Sequence, residues 1–104
     1  MGDTTTMTPV MRSIVERTVE SPDTVSLVVA DDTAERCGPG MFHMLWSPGV
    51  GEVPISVSRI GAGRITFTIR AVGATTTALC GAEPGEAIGT RGPFGRPWDL
   101  DVAR

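Results

Sequence analysis

Glycine and proline punctuate this chain so regularly that little room remains for anything but short extended segments. The sequence carries 13 Gly and 8 Pro in 104 residues. They cluster with turn-forming polar residues at Glu20-Ser21-Pro22-Asp23, Gly38-Pro39-Gly40, Ser47-Pro48-Gly49-Val50-Gly51, Gly61-Ala62-Gly63, Pro84-Gly85 and Gly92-Pro93-Phe94-Gly95. Glycine tolerates positive φ and proline presets φ, so each cluster reads as a turn. Between the turns the side chains alternate. Over 64–72, Ile65, Phe67 and Ile69 take turns with Thr66, Thr68 and Arg70. A period of two, rich in β-branched residues, belongs to a half-buried strand. The same holds over 24–31, where Val25, Leu27 and Val29 alternate with Ser26 and Val28, and over 53–60, where Val53, Ile55 and Val57 oppose Ser56 and Ser58.

Less regular strands are expected over 10–20, where Arg12, Glu16 and Arg17 mark a wet face, over 41–46 and over 86–91. Segment 31–37 reads as a polar loop or a single helical turn. Gly73 interrupts the pattern, and 74–79 reads as a short helix entered through Thr75, Thr76 and Thr77 and closed by Gly81. Six short strands with turns about every ten residues argue for an antiparallel sandwich or a closed Greek-key barrel. No βαβ alternation and no strand followed by GxGxxG is present, which excludes a Rossmann half.

The length allows one domain, expected over 10–100, behind a polar, Thr-rich segment 1–9 expected to be disordered. Net charge is −3, and the nine positive charges are all arginine. That balance offers no electrostatic footprint for nucleic acid or an anionic membrane. The apolar runs are too short to span a bilayer, and 1–9 lacks the apolar stretch of a secretory signal, so a cytoplasmic protein is expected. Cys37 and Cys80 form no CxxC and are too few for a structural zinc or an iron–sulfur cluster. In a reducing compartment they are expected as free thiols.

Three places hold candidate chemistry. In Val53-Pro54-Ile55-Ser56-Val57-Ser58, Pro54 withholds a ladder donor and Ser56 offers a hydroxyl, a combination that suits the edge of a planar heterocycle; an ordinary strand with a wet serine face would carry the same residues. In Arg70 to Leu79, a helix begins at Gly73 over three threonines, a setting for phosphate or simply a helix cap. Gly92-Pro93-Phe94-Gly95 presents an aromatic on a sharp turn, functional or structural. His43, the only histidine, is expected on the outer face of its strand as a surface residue. No acidic or histidine partner lies near it in sequence for a triad or a metal site.

In order and spacing these elements resemble the FAD-binding barrel of the ferredoxin–NADP reductase superfamily. The resemblance rests on Pro39-Gly40-Met41-Phe42, Pro54-Ile55-Ser56, Val72-Gly73 with Thr76 and Leu79, Pro84-Gly85-Glu86, and Gly92-Pro93-Phe94-Gly95. Gly51 to Ser58 resembles most the branch holding electron-transfer subunits of anaerobic sulfite reductase, sulfhydrogenase gamma subunits and dihydroorotate dehydrogenase electron-transfer subunits. The resemblance implies an all-β, six-stranded antiparallel Greek-key barrel with one short helix. It implies FAD, with Ser56 at the flavin ring edge, Pro54 and Ile55 beside the ring, and Val72, Gly73 and Thr76 near the pyrophosphate. Gly92, Pro93 and Phe94 would shape the site from the far side. The family pattern is Arg-x-Tyr-Ser; here Val53 and Ile55 stand at the Arg and aromatic positions and only Ser56 matches. Loss of a charge-assisted phosphate bond is worth about 1.5–3 kcal/mol, so tenfold or more weaker FAD binding is expected unless Arg70 or Arg91 compensates.

The resemblance further implies a following nucleotide-binding domain that presents NAD(P)H, and an iron–sulfur cluster or other redox partner subunit. The chain ends at Arg104, so an isolated or truncated FAD-binding module, incompetent for NAD(P)H turnover by itself, is expected. Two other readings stand beside it: a docking module of a redox complex that has lost flavin binding, and an unrelated small β-barrel that binds something else.

Overall fold

Each alternating run becomes a strand with a partner on both sides. The computed structural model describes residues 8–38 and 40–95. Pro39, residues 1–7 of the segment expected to be disordered, and the chain after Gly95 lie outside the described residues. The strands are β1 (Val10–Ser21), β2 (Thr24–Ala30), β3 (Phe42–Ser47), β4 (Gly51–Gly61), β5 (Arg64–Arg70) and β6 (Ala87–Phe94). One helix, α1 (Ala74–Cys80), connects β5 to β6, and a 3-10 turn covers Ala34–Arg36. All pairings are antiparallel, and the order β1-β2-β5-β4-β3-β6 closes into a barrel when β6 pairs with β1.

The inward residues are those the alternation marks. Leu27, Val29, Leu45, Ile65, Phe67 and Ile69 are completely buried, joined by Ile14, Val25 and Ile88. α1 packs against the barrel with Leu79 and Cys80 buried. Its C-terminal end is tied down from β1. Arg17 donates from Nε and Nη2 to the Cys80 carbonyl at 3.0 and 2.7 Å, satisfying one of the acceptors a helix end leaves open.

β4 carries an irregularity that sequence spacing does not reveal. Val57 pairs with Phe67, but Arg59 pairs with Thr66, so Ser58 is an extra residue in the ladder. Its hydroxyl donates to the Thr66 carbonyl at 2.9 Å. The bulge resets the phase, and Ile60 packs against the core.

β4 and β5 are joined by Ala62-Gly63, with φ of 53° and 73°. Positive φ at both central residues is the turn that matches strand twist in a tight hairpin, and it favours Asn-Gly. Alanine there is strained by about 1 kcal/mol. Ala62→Asn is therefore expected to stabilise the fold by roughly 0.5–1 kcal/mol, read as a rise in the urea midpoint. An unchanged midpoint would show that the turn carries no strain.

Candidate functional site

The candidate residues meet on the outside of the sheet formed by β4, β3 and β6. Directly opposed residues share a face, so the register defines rows. Met44 on β3 pairs with Pro54 on one side and Arg91 on the other. Phe42 pairs with Ser56 and Phe94. Trp46 pairs with Glu52 and Gly89. His43 and Leu45, the intervening residues of β3, point inward and are buried.

The outward surface is mostly apolar and aromatic. Phe42, Met44, Trp46 and Phe94 are half-buried, while Pro54 and Ser56 are exposed. Phe42 and Phe94 lie with ring centroids 5.5 Å apart and a 32° tilt. A β-carbon at Gly89 would sit 2.6 Å from Trp46 Cε3, so the glycine lets the indole lie flat on the strand. Among the described residues the Ser56 hydroxyl makes no hydrogen bond. Adjacent strands lie about 4.8 Å apart, so Ser56 and Phe94 flank Phe42 across roughly 10 Å.

One charged pair interrupts this surface. Arg91 Nε and Nη2 donate to the two carboxylate oxygens of Glu52 at 2.6 and 2.9 Å. The Arg91 guanidinium also sits 5.6 Å from the centroid of the Phe94 ring. Arg91 holds the Glu52 acid below the usual carboxylate range, and Glu52 in turn raises the Arg91 pKa.

Val72, Gly73 and Thr76 lie apart from this surface, before and within α1. Val72 is 73% exposed. Thr76 is buried, and its hydroxyl accepts the Val72 and Gly73 N–H groups, each at 2.9 Å, and lies 3.2 Å from the Gly73 carbonyl. β4 links the two groups: a β-carbon at Gly51 would lie 2.6 Å from Thr75 Oγ1. Ser56 is five residues further along, about 17 Å at strand rise.

The structure thus brings Pro54, Ser56 and Phe94 to one face and sets Val72, Gly73 and Thr76 beyond one end of it. Ile55 instead pairs with His43 and packs against the core. Gly92 and Pro93 fall where the β3–β6 register shifts. A β-carbon at Gly92, whose φ is 139°, would approach the His43 ring and the Phe42 carbonyl at 3.3 Å. Sequence reading left the Glu52–Arg91 pairing and the outward placement of Phe42 unread; only the register reveals them.

His43 overturns an expectation. It is 1% exposed, not a surface residue. Its neighbours Phe42, Met44 and Trp46 take the outward positions against Phe94 and Arg91, which leaves the histidine facing in. Its ring meets Phe67 edge-on at 5.4 Å, and Nε2 lies 4.0 Å from Cys37 Sγ. Among the described residues Nδ1 has no hydrogen-bond partner. Burial lowers the His43 pKa; the nearby Asp31 carboxylate opposes that lowering, and Arg12 reinforces it. The unfolded chain therefore binds a proton near pH 6.5 that the folded chain refuses. Stability is expected to be full above that pH and to fall as the pH drops towards the folded value, by at most about 1.4 kcal/mol per pH unit. The loss ends below the folded value. Urea titrations between pH 7.5 and 5 should show this slope in the native chain and a flatter one in His43→Gln; equal slopes would sink the assignment.

Both cysteines are free thiols, as expected, and burial raises both pKa values. No group of three or more metal-ligating side chains occurs among the described residues. No helix there is long and apolar enough to cross a membrane. A groove of about 250 Å³ outside β1, β2, β5 and β4 is lined by Ser26, Thr68, Ser58, Arg59, Glu16 and Glu20. Its hydroxyls bond to one another, and its two carboxylates suit an anionic ligand poorly.

No family model matches the chain. It is 33% identical over 94 residues to a probable dihydroorotate dehydrogenase B (NAD(+)), electron transfer subunit, of Methanocella arvoryzae, covering 90% of this chain and 35% of that one. It is 42% identical over 65 residues to the sulfhydrogenase 1 subunit gamma of Pyrococcus furiosus, covering 61% and 22% respectively. The chain thus spans only about a quarter to a third of the length of such curated relatives. Among solved structures, an NADH-dependent reduced ferredoxin-NADP oxidoreductase matches with a TM-score of 0.79 at 21% identity, over 86% of this chain and 36% of that one. A ferredoxin-NADP+ reductase of Plasmodium falciparum matches with a TM-score of 0.72 at 14% identity, over 90% and 42%. The barrel, its strand order and these relatives agree: the chain is a homologue of dihydroorotate dehydrogenase B electron transfer subunits and sulfhydrogenase gamma subunits, built on the barrel of the ferredoxin–NADP reductase superfamily.

Proposed function

We propose that this chain is the FAD-binding module of a cytoplasmic NAD(P)H-dependent electron-transfer flavoprotein, relaying electrons between NAD(P)H and an iron–sulfur or other redox partner. The observation that carries the reading is the outward surface of β3, β4 and β6. It is largely apolar and aromatic, it has an unused hydroxyl at Ser56, and one cation stands within it. A planar, partly polar heterocycle bearing a phosphate chain needs those three features. The residues present therefore fit a flavin nucleotide.

When bound, the flavin would supply hydride acceptance from NAD(P)H and one-electron delivery to the partner. The chain's own residues bind and orient. Ser56 offers a donor and an acceptor at the ring edge, and Pro54 and Phe94 bound the ring on either side of Phe42. Ile55 fixes β4 from beneath through its packing on the core. The Thr76 hydroxyl is committed to Val72 and Gly73, so its role is to hold that backbone in shape for the diphosphate. Gly92 and Pro93 set the path by which Phe94 reaches the surface. The nucleotide-binding domain that presents NAD(P)H, and the partner subunit, belong to the same proposal.

A second reading, a docking module without flavin, is favoured by one observation: Val53 and Ile55 both pack against the core and bring neither a cation nor an aromatic ring to the surface. Flavin fluorescence separates the two. Titration of the purified chain should quench FAD saturably and FMN more weakly. No FAD binding at ~100 µM, a free energy weaker than about −5.5 kcal/mol, would favour the docking module.

A further inference from the structure

We propose that Arg91 contacts the phosphate of the bound flavin nucleotide, and that Glu52 both aims its guanidinium and competes with that phosphate for it. This rests on the flavin reading above. The register puts Arg91 in the row of Pro54 and Met44, on the face that also carries Ser56. The described arginines with other ion pairs or charge-assisted bonds are directed elsewhere: Arg12 to Asp31 and Asp32, Arg17 to the Cys80 carbonyl, and Arg70 to Asp23.

Arg91 is held in a defined pose. The Glu52 pair takes two of its five N–H donors, and the Phe94 ring lies against the guanidinium. A planar fork fixed in advance suits a phosphate and loses little freedom on binding it. The Arg91 side chain is 22% exposed, so an anion can reach it from solvent. The Glu52 carboxylate is equally open at 26% and is acceptor-only when ionised, so it repels any phosphate drawn to its partner. A pair built only to hold β4 to β6 would show no preference between a phosphorylated and an unphosphorylated flavin.

The test titrates native chain, Arg91→Gln and Glu52→Gln with FAD and with riboflavin, following flavin fluorescence, with a thermal melt of each protein. Arg91→Gln is expected to weaken FAD about tenfold or more and to leave riboflavin unchanged. Glu52→Gln is expected to tighten FAD several-fold although its melting temperature falls. Added salt should erode FAD affinity more in the native chain than in Arg91→Gln. Equal losses for FAD and riboflavin, or no loss, in Arg91→Gln would overturn the assignment while leaving the flavin reading intact. Weaker FAD binding in Glu52→Gln would overturn the competing role of Glu52. Failure of the native chain to bind FAD would overturn the flavin reading and this assignment together.

Discussion

Phe67→Ala is expected to cost about 3–5 kcal/mol of folding stability, a large share of the roughly 5–15 kcal/mol that a domain of this kind commands. The ring is completely buried and pairs with Leu27 on β2. On its other flank it opposes Val57 on β4, just before the bulge, and its edge meets His43. Removing it vacates the space where three strands and the buried imidazole converge. The walls are closed ladders, which cannot collapse inward to refill it. Phe67→Leu keeps most of the volume and should cost well under half as much. Urea unfolding by circular dichroism reads both. A loss below about 1 kcal/mol for the alanine variant would mean that the barrel interior is not packed around this ring.

Thr76→Ala should have the next largest effect, about 2 kcal/mol. One hydroxyl accepts two backbone N–H groups in a buried position. Its removal leaves both donors unmet where α1 begins. Thr76→Ser keeps the oxygen and should recover most of the loss. If Gly73 and its neighbours also meet the flavin diphosphate, FAD affinity should drop in the alanine variant and return in the serine variant. Identical stability for alanine and serine would show that the hydroxyl is dispensable to the turn.

The strand pattern was legible because Ile65, Phe67 and Ile69, or Val25, Leu27 and Val29, stand against polar neighbours. The burial of one face is then written in the order of the residues. β3 was legible as a strand but not in phase. Phe42, Met44 and Trp46 are as apolar as Leu45, so nothing local says that His43 turns inward. The end of β6 was read short for a related reason: Gly92 and Pro93 look like a turn, yet the strand continues through them to Phe94. At the site, Pro54 and Ser56 were found from their chemistry on one strand. The Glu52–Arg91 pair was not, since its members lie 39 residues apart. They meet only because β3 seats between β4 and β6. The bulge at Ser58 leaves no mark in composition, although it decides that Ile60 packs inward.

The closure of β1 on β6 has a consequence for how the chain comes into being. Val10 pairs with Thr90, so the barrel is sealed by its first and last strands. Until β6 is in place, β1 and β3 each present a row of unpaired backbone groups, the kind of edge on which foreign strands add. A nascent chain emerging from the ribosome therefore carries two adhesive edges for nearly its whole synthesis. The strand that removes both is the last of the six to be made, and this domain's exposure to aggregation is set by how promptly that strand arrives.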